Sequence, residues 1–266
     1  FSLFFSKRIL TMPVCSGSPL AFYFSDFFKT LLLLVLFMSP SSSFGGVVLL
    51  YHHVAEDTPA LTSITIAQFE RHLETIEKND YEVVPLEILT QTSLKSFSLD
   101  KKVSITFDDG YKNILTNALP LLKKRDWPFT IFVSTKFVGV SKSYLNWEDL
   151  NYLKQNGATI GNHTHSHAHL VRRGANETHG EWLARVESEI ITAREILNAK
   201  GHESQIFAYP YGEYNARVRD IVRKLGMTGF GQQSGAIGPS SDPLILPRFP
   251  LSGVYTGIDA LPDKLG

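Results

Sequence analysis

Apolar residues along this chain switch between two periods. Short β-branched and aromatic runs at 46–51, 81–84, 103–107, 129–133, 158–160 and 206–209 have the length and composition of buried strands. Between them the spacing changes to three and four: Phe69, Leu73 and Ile76; Ile114, Ala118, Leu121 and Leu122; Leu183, Val186, Ile190, Ala193 and Leu197. This spacing predicts amphipathic helices. Thr65 with Gln68 three residues on makes a capping box for the first, and Asn215 caps a helix to Leu225 that Gly226 stops. Gly157 closes a helix over 147–155, Gly201 ends the longest one over 181–200, and a short helix follows Pro85. Pro120, inside the helical stretch 113–125, predicts a kink or a break.

Strands and helices therefore alternate, which argues a parallel α/β architecture. No Pro/Ser/Gly-rich linker divides residues 44–266, so they are expected to form one domain. Residues 1–43 differ: Phe and Leu dominate, Lys29 precedes an unbroken apolar run at 31–38, and small residues follow at 39–43. Eight apolar residues fit the core of a secretory signal peptide and fall short of the roughly twenty that span a bilayer. Cleavage near Ser43 and export to a periplasmic or extracellular location are expected. An uncleaved N-terminal anchor, the chain's one route to a membrane, is the alternative. The only cysteine, Cys15, lies in this part, so any metal in the domain must be held by histidine and carboxylate. With 26 basic and 26 acidic residues in no block of either sign, nothing suggests a nucleic-acid partner.

The strand at 103–107 runs into Asp108, Asp109 and Gly110. Adjacent side chains at a strand end diverge, so one carboxylate can bind a cation while the other stays free as a base. Four of the nine histidines fall at 163, 165, 167 and 169, after the strand at 158–160. A helical turn is expected here, setting His163 and His167 on one side at i and i+4 with His165 and His169 pointing elsewhere. Two imidazoles and a carboxylate with an open position describe a catalytic Zn²⁺-type site. His52 ends the first strand and Tyr211 follows the turn-forming Pro210. In a parallel barrel all these strand ends share one face, where active sites form.

Thr-Phe-Asp-Asp-Gly at 106–110, His-Thr-x-Ser-His at 163–167 and Phe-Ala-Tyr-Pro-Tyr-Gly at 207–212 resemble the three leading motifs of the polysaccharide deacetylases, the NodB-homology or carbohydrate esterase family four. The resemblance spans roughly 47–249. It implies a distorted (β/α) barrel and metal-dependent removal of N-acetyl groups from a β-linked N-acetylglucosamine polysaccharide. By that resemblance Asp108 is the catalytic base; Asp109, His163 and His167 bind Zn²⁺ or another divalent first-row metal; and the Tyr211 backbone N–H helps hold the oxyanion. Many family members carry Arg where this chain has Ala208, and Arg248 is the substitute expected to orient Asp108. The family's late Leu-x-His motif is absent after Tyr211, but Leu50-Tyr51-His52 has its pattern. This resembles the circularly permuted branch that includes poly-β-1,6-N-acetylglucosamine deacetylases, and it makes His52 the general acid. Chains of that branch often run further, so a C-terminal truncation is expected. Two other readings stand beside this one: a catalytically dead carbohydrate-binding relative, against which the intact acid pair and histidines argue, and an amidohydrolase of a small non-sugar amide.

Overall fold

The computed structural model describes residues 45–90 and 98–253. The hydrophobic N-terminal segment with Cys15, and the end of the chain where a truncation was expected, lie outside these residues. The sheet is built from β1 (Val47–Tyr51), β4 (Glu82–Val83), β5 (Lys102–Phe107), β6 (Phe129–Val133), β7 (Ala158–Asn162), β8 (Ile206–Ala208), β9 (Thr228–Phe230) and β10 (Phe249–Pro250). A separate two-stranded piece pairs β2 (His53–Val54) with β3 (Ser63–Ile64). Across the main sheet the order is β10-β1-β5-β6-β7-β8-β9, every pairing parallel, with β4 beside the start of β5.

The sheet curls into the distorted barrel expected from the motifs. Leu246 bridges Phe230 of β9, and a few residues later the same segment pairs with β1 as β10. One stretch, 246–250, thus spans the last gap.

Strand alternation decides what faces inward. In β5, Val103, Ile105 and Phe107 pack outward against the helices, in one cluster with Leu49, Phe69 and Leu122. Ser104, Thr106 and then Asp108 lie on the opposite, inner face. Their polar groups are satisfied there: the Ser104 and Thr106 hydroxyls donate to the Val84 and Leu49 carbonyls at 2.8 Å. Val48, Phe132, Ile206, Ala208, Phe230 and Leu246 form a second, interior cluster, joined by Leu86 and Leu89 of α2 (Leu86–Thr90).

Outside lie α1 (Ile66–Lys78), α3 (Leu119–Lys123), α4 (Trp147–Lys154), α5 (His179–Ala199) and α6 (Ala216–Lys224). The Thr65/Gln68 capping box and the Asn215 cap both form, and boxes not expected from the sequence start α4 (Asn146/Asp149) and α5 (Thr178/Glu181). Pro120 acts as a break: a π-type turn at Ile114–Ala118 precedes α3, which places the proline in its first turn, where its missing N–H costs nothing. On α5, Val186, Ile190, Ala193 and Leu197 are buried with Trp182, while Leu183 is only partly covered.

Candidate active site

Asp108 ends the inner column of β5 and is fully buried. Arg248, which enters the barrel just before β10, is fully buried too and grips it with both ends of the guanidinium: Nη1 to Oδ1 at 2.7 Å and Nη2 to Oδ2 at 2.8 Å. The rest of the arginine is held by Nε donating to the Gly231 carbonyl and by the Phe132 ring, 5.2 Å from the guanidinium carbon. Arg248 is therefore no surface residue. Burial pushes the Asp108 carboxyl up, but the Arg248 and His163 charges outweigh it and the pKa falls below the ordinary value.

At Asp109 the chain turns left-handed (φ 71°), and Gly110 follows at φ 76°, where a Cβ would stand 3.0 Å from Val133 Cγ1. This reversal swings the Asp109 carboxylate away from the inner column towards the loop after β7. Its Oδ1 lies 3.5 Å from His163 Nε2 and 3.2 Å from His167 Nε2. His163 Nδ1 donates to the Ala208 carbonyl at 2.8 Å, and since a carbonyl can only accept, Nε2 is left as the lone-pair nitrogen facing Asp109.

The helical turn expected at 163–167 does not form. β7 continues through Asn162, and Thr164 (φ 69°) and His167 (φ 57°) are left-handed. Side chains capture the amides a helix would have used: Asn162 Oδ1 accepts from Thr164 N–H at 2.8 Å and Thr164 Oγ1 from His167 N–H at 2.9 Å. His163 and His167 still converge, by an irregular loop instead of an i, i+4 pair. His165 and His169 point elsewhere, to Thr135 and Glu213.

Asp109, His163 and His167 could hold a metal ion, each offering one atom within 4.8 Å of the others. Tetrahedral ligands about 2.0–2.1 Å from an ion stand about 3.3 Å apart, close to the separations of Asp109 from the two histidines. Charge agrees: two carboxylates face a single guanidinium, and the carboxylates raise the His163 pKa against its burial. The Asp109 carboxyl, which burial alone would raise, is held well below its ordinary value by the two histidines beside it.

His52 is half-buried at the end of β1, with Nδ1 enclosed and without a hydrogen-bond partner. Burial lowers its pKa, while Asp108 and Asp109 pull it the other way. His53 belongs to the scaffold: it stacks on Tyr111, centroids 3.6 Å apart, with Nδ1 2.9 Å from the Asn113 amide. Tyr211 follows β8 in a turn of its own, φ 59°, with its ring against His167. Tyr209 is a core residue whose hydroxyl donates to the Leu244 carbonyl, and Trp147, partly buried, packs on His202.

Two residues escaped the sequence reading. Tyr111 sits beside Asp109, whose charge helps burial raise its phenol pKa, and Glu189 of α5 fixes the histidine loop by accepting from Ser166 N–H at 2.8 Å and Ser166 Oγ at 2.7 Å. Glu189 had a signal, a charge three residues from Val186 on the apolar stripe; Tyr111 had none.

A sequence model of the polysaccharide deacetylases matches residues 97–230, just over half of the 266-residue chain. The chain belongs to the polysaccharide deacetylase family. His52 and Arg248 lie outside the matched residues, on either side. Among relatives in the family, the Bacillus subtilis (strain 168) protein YxkH is 30% identical over 196 residues, covering 71% of this chain and 66% of YxkH, just under two thirds of its length. The poly-beta-1,6-N-acetyl-D-glucosamine N-deacetylase of Staphylococcus aureus (strain MRSA252) is 26% identical over 197 residues, covering 71% of this chain and 68% of that enzyme. The Streptococcus pyogenes deacetylase PplD, solved with acetate, shares the fold at a TM-score of 0.74 and 22% identity, covering 84% of this chain and 98% of PplD.

Proposed function

We propose that this chain is an exported, metal-dependent N-deacetylase of a polysaccharide of β-linked N-acetylglucosamine. The observation that carries the reading is the division of labour at the end of β5: Asp108 sealed against Arg248, and Asp109 turned out to His163 and His167. The name of the Staphylococcus aureus relative supports the polymer class.

A divalent ion, when bound by Asp109, His163 and His167, supplies a Lewis acid that brings the pKa of a water to about 7. Asp108, kept ionised by Arg248, accepts a proton as water adds to the acetamide carbonyl. Arg248 fixes the direction of that carboxylate. The Tyr211 amide meets the oxygen that becomes negative. His52 must enter protonated; burial lowers its pKa below the ordinary value, and Asp108 and Asp109 offset only part of that fall. It hands that proton to the nitrogen as the C–N bond breaks, so acetate and the free amine leave. Residues 44–266 act as one domain, and the apolar run at 31–38 directs export.

The test is acetate release from β-linked N-acetylglucosamine oligomers, before and after chelation and with metal restored. Release that stops with chelator and returns with Zn²⁺ is the expected result. Release only from small acetamides would replace the polymer with a small amide, and no release from either with metal bound would make the chain a binding relative.

A further inference from the structure

Among the described residues, seven other than glycine adopt a left-handed backbone. Asp80, Lys101 and Asp126 do so in turns that precede β4, β5 and β6, at the end of the barrel away from the site. Asp109, Thr164, His167 and Tyr211 do so at the mouth. For a residue with a Cβ this conformation costs about 1–2 kcal/mol and persists only where the surroundings hold it. Asp109 is held by its histidine contacts, and Thr164 and His167 by side-chain hydrogen bonds. Tyr211 has no such anchor in the core: its side chain is among the most exposed large ones, at 48%.

Besides the two backbone hydrogen bonds that close its turn, what lies against it is a stack. The Tyr211 ring lies on the His169 ring with centroids 3.8 Å apart and planes 12° from parallel, and it meets His167 edge-on at 4.5 Å. His169 is itself fixed, Nδ1 2.9 Å from Glu213 Oε2, while Glu213 Oε1 accepts from Arg172 Nη2 at 3.2 Å. Glu213 lies only two residues beyond Tyr211, so the histidine is tied to the turn whose tyrosine it supports.

We propose that His169, oriented by Glu213, is a positioning residue that holds the Tyr211 turn in its left-handed form and so aims the Tyr211 N–H at the reacting carbonyl. The aiming rests on the deacetylase reading; the holding does not. His169 touches neither substrate nor ion in this assignment. Its effect on rate passes through the Tyr211 peptide, which explains why the third histidine after His163 is drawn away from the metal cluster.

The experiment uses the full chain loaded with Zn²⁺ and compares His169→Ala with His169→Phe, which keeps a ring to stack. Amide exchange reads the turn directly, since Gly212 and Glu213 N–H close it onto the Tyr209 and Pro210 carbonyls at 2.9 and 3.1 Å. In His169→Ala those two amides should exchange roughly 10-fold faster, kcat should fall roughly 10-fold, and KM and Zn²⁺ affinity should stay put, as release of a strain of that size implies. His169→Phe should recover most of both losses. Unchanged exchange overturns the proposal. So does loss of Zn²⁺, which would make His169 a support for the ligand loop, or a raised KM at constant kcat, which would make the Tyr211 ring a sugar platform. A wild-type protein that releases no acetate sinks the deacetylase reading, and the exchange arm then still decides the clamp.

Discussion

Burying Asp108 and Arg248 together takes two charges out of water, a loss their mutual attraction offsets only when the geometry is close to ideal, as the two hydrogen bonds of 2.7 and 2.8 Å make it. Removing one partner strands the other. Arg248→Met should therefore cost about 3–5 kcal/mol in urea unfolding, and Arg248→Lys should not recover it, because an ammonium cannot bridge both oxygens. A loss under about 1 kcal/mol would show that the pair is not needed. The two aspartates should fail in different ways. Asp109→Asn should lose metal in elemental analysis; Asp108→Asn should keep it and lose about 10²- to 10⁴-fold in rate. His53 supplies a pH signature separate from the ligands. Burial, helped by the neighbouring His52, lowers its pKa from 6.5 to about 4. The unfolded chain then binds more protons within that window, so the stability His53 contributes is complete above pH 6.5 and is lost as pH falls towards 4. Replacing it with Asn should flatten the stability profile between those limits, and an unaltered slope would refute the assignment.

The loop after β7 shows how side chains proposed as metal ligands are positioned without regular structure. Residues 163–169 have neither helix nor strand, yet their backbone is pinned at many points: Ser134 Oγ donates to the His163 carbonyl, His165 N–H to the Glu189 carbonyl, and Ser166 twice to the Glu189 carboxylate. Glu189 thus ties the ligand loop to α5 from outside the ligand set. Supports of this kind typically account for 10- to 100-fold in metal affinity. Glu189→Ala should weaken Zn²⁺ binding by about that factor in competition titrations while leaving helical circular dichroism intact. Unaltered affinity would mean the other anchors suffice. Spacing in sequence could not reveal this loop, because its path depends on which distant groups accept its amides. The histidine spacing alone favoured a helical turn, and Asn162 and Thr164, by capturing two amides, decided otherwise.

At the scale of the molecule, the site exists only because the barrel closes. His52 follows β1, Asp108 and Asp109 follow β5, His163 and His167 follow β7, Tyr211 follows β8 and Arg248 precedes β10, and segment 246–250 joins the two ends. The proposed ligands come from two strand ends, so metal binding by them would be a property of the folded state. Zn²⁺ at a hundred times its dissociation constant should stabilise the protein by about 2.7 kcal/mol, and calorimetry should show that gain vanish in His163→Ala. An equal rise in Tm in that variant would place the ion elsewhere.

The sequence by itself determined the alternation of strands and helices, the caps at Thr65 and Asn215, the break at Pro120, and the residue types that meet at the mouth. These follow from periodicity and from the chemistry of single side chains, which act over a few neighbours. Only the tertiary structure decided that Arg248 reaches Asp108 across 140 residues of chain, that the histidine segment is an irregular loop, and that His169 backs Tyr211. It also decided which aspartate faces inward, since that depends on where the pleat of β5 meets the left-handed turn at Asp109. Each of these is fixed by groups brought together by barrel closure, and no local pattern in the sequence encodes which distant partner will be there.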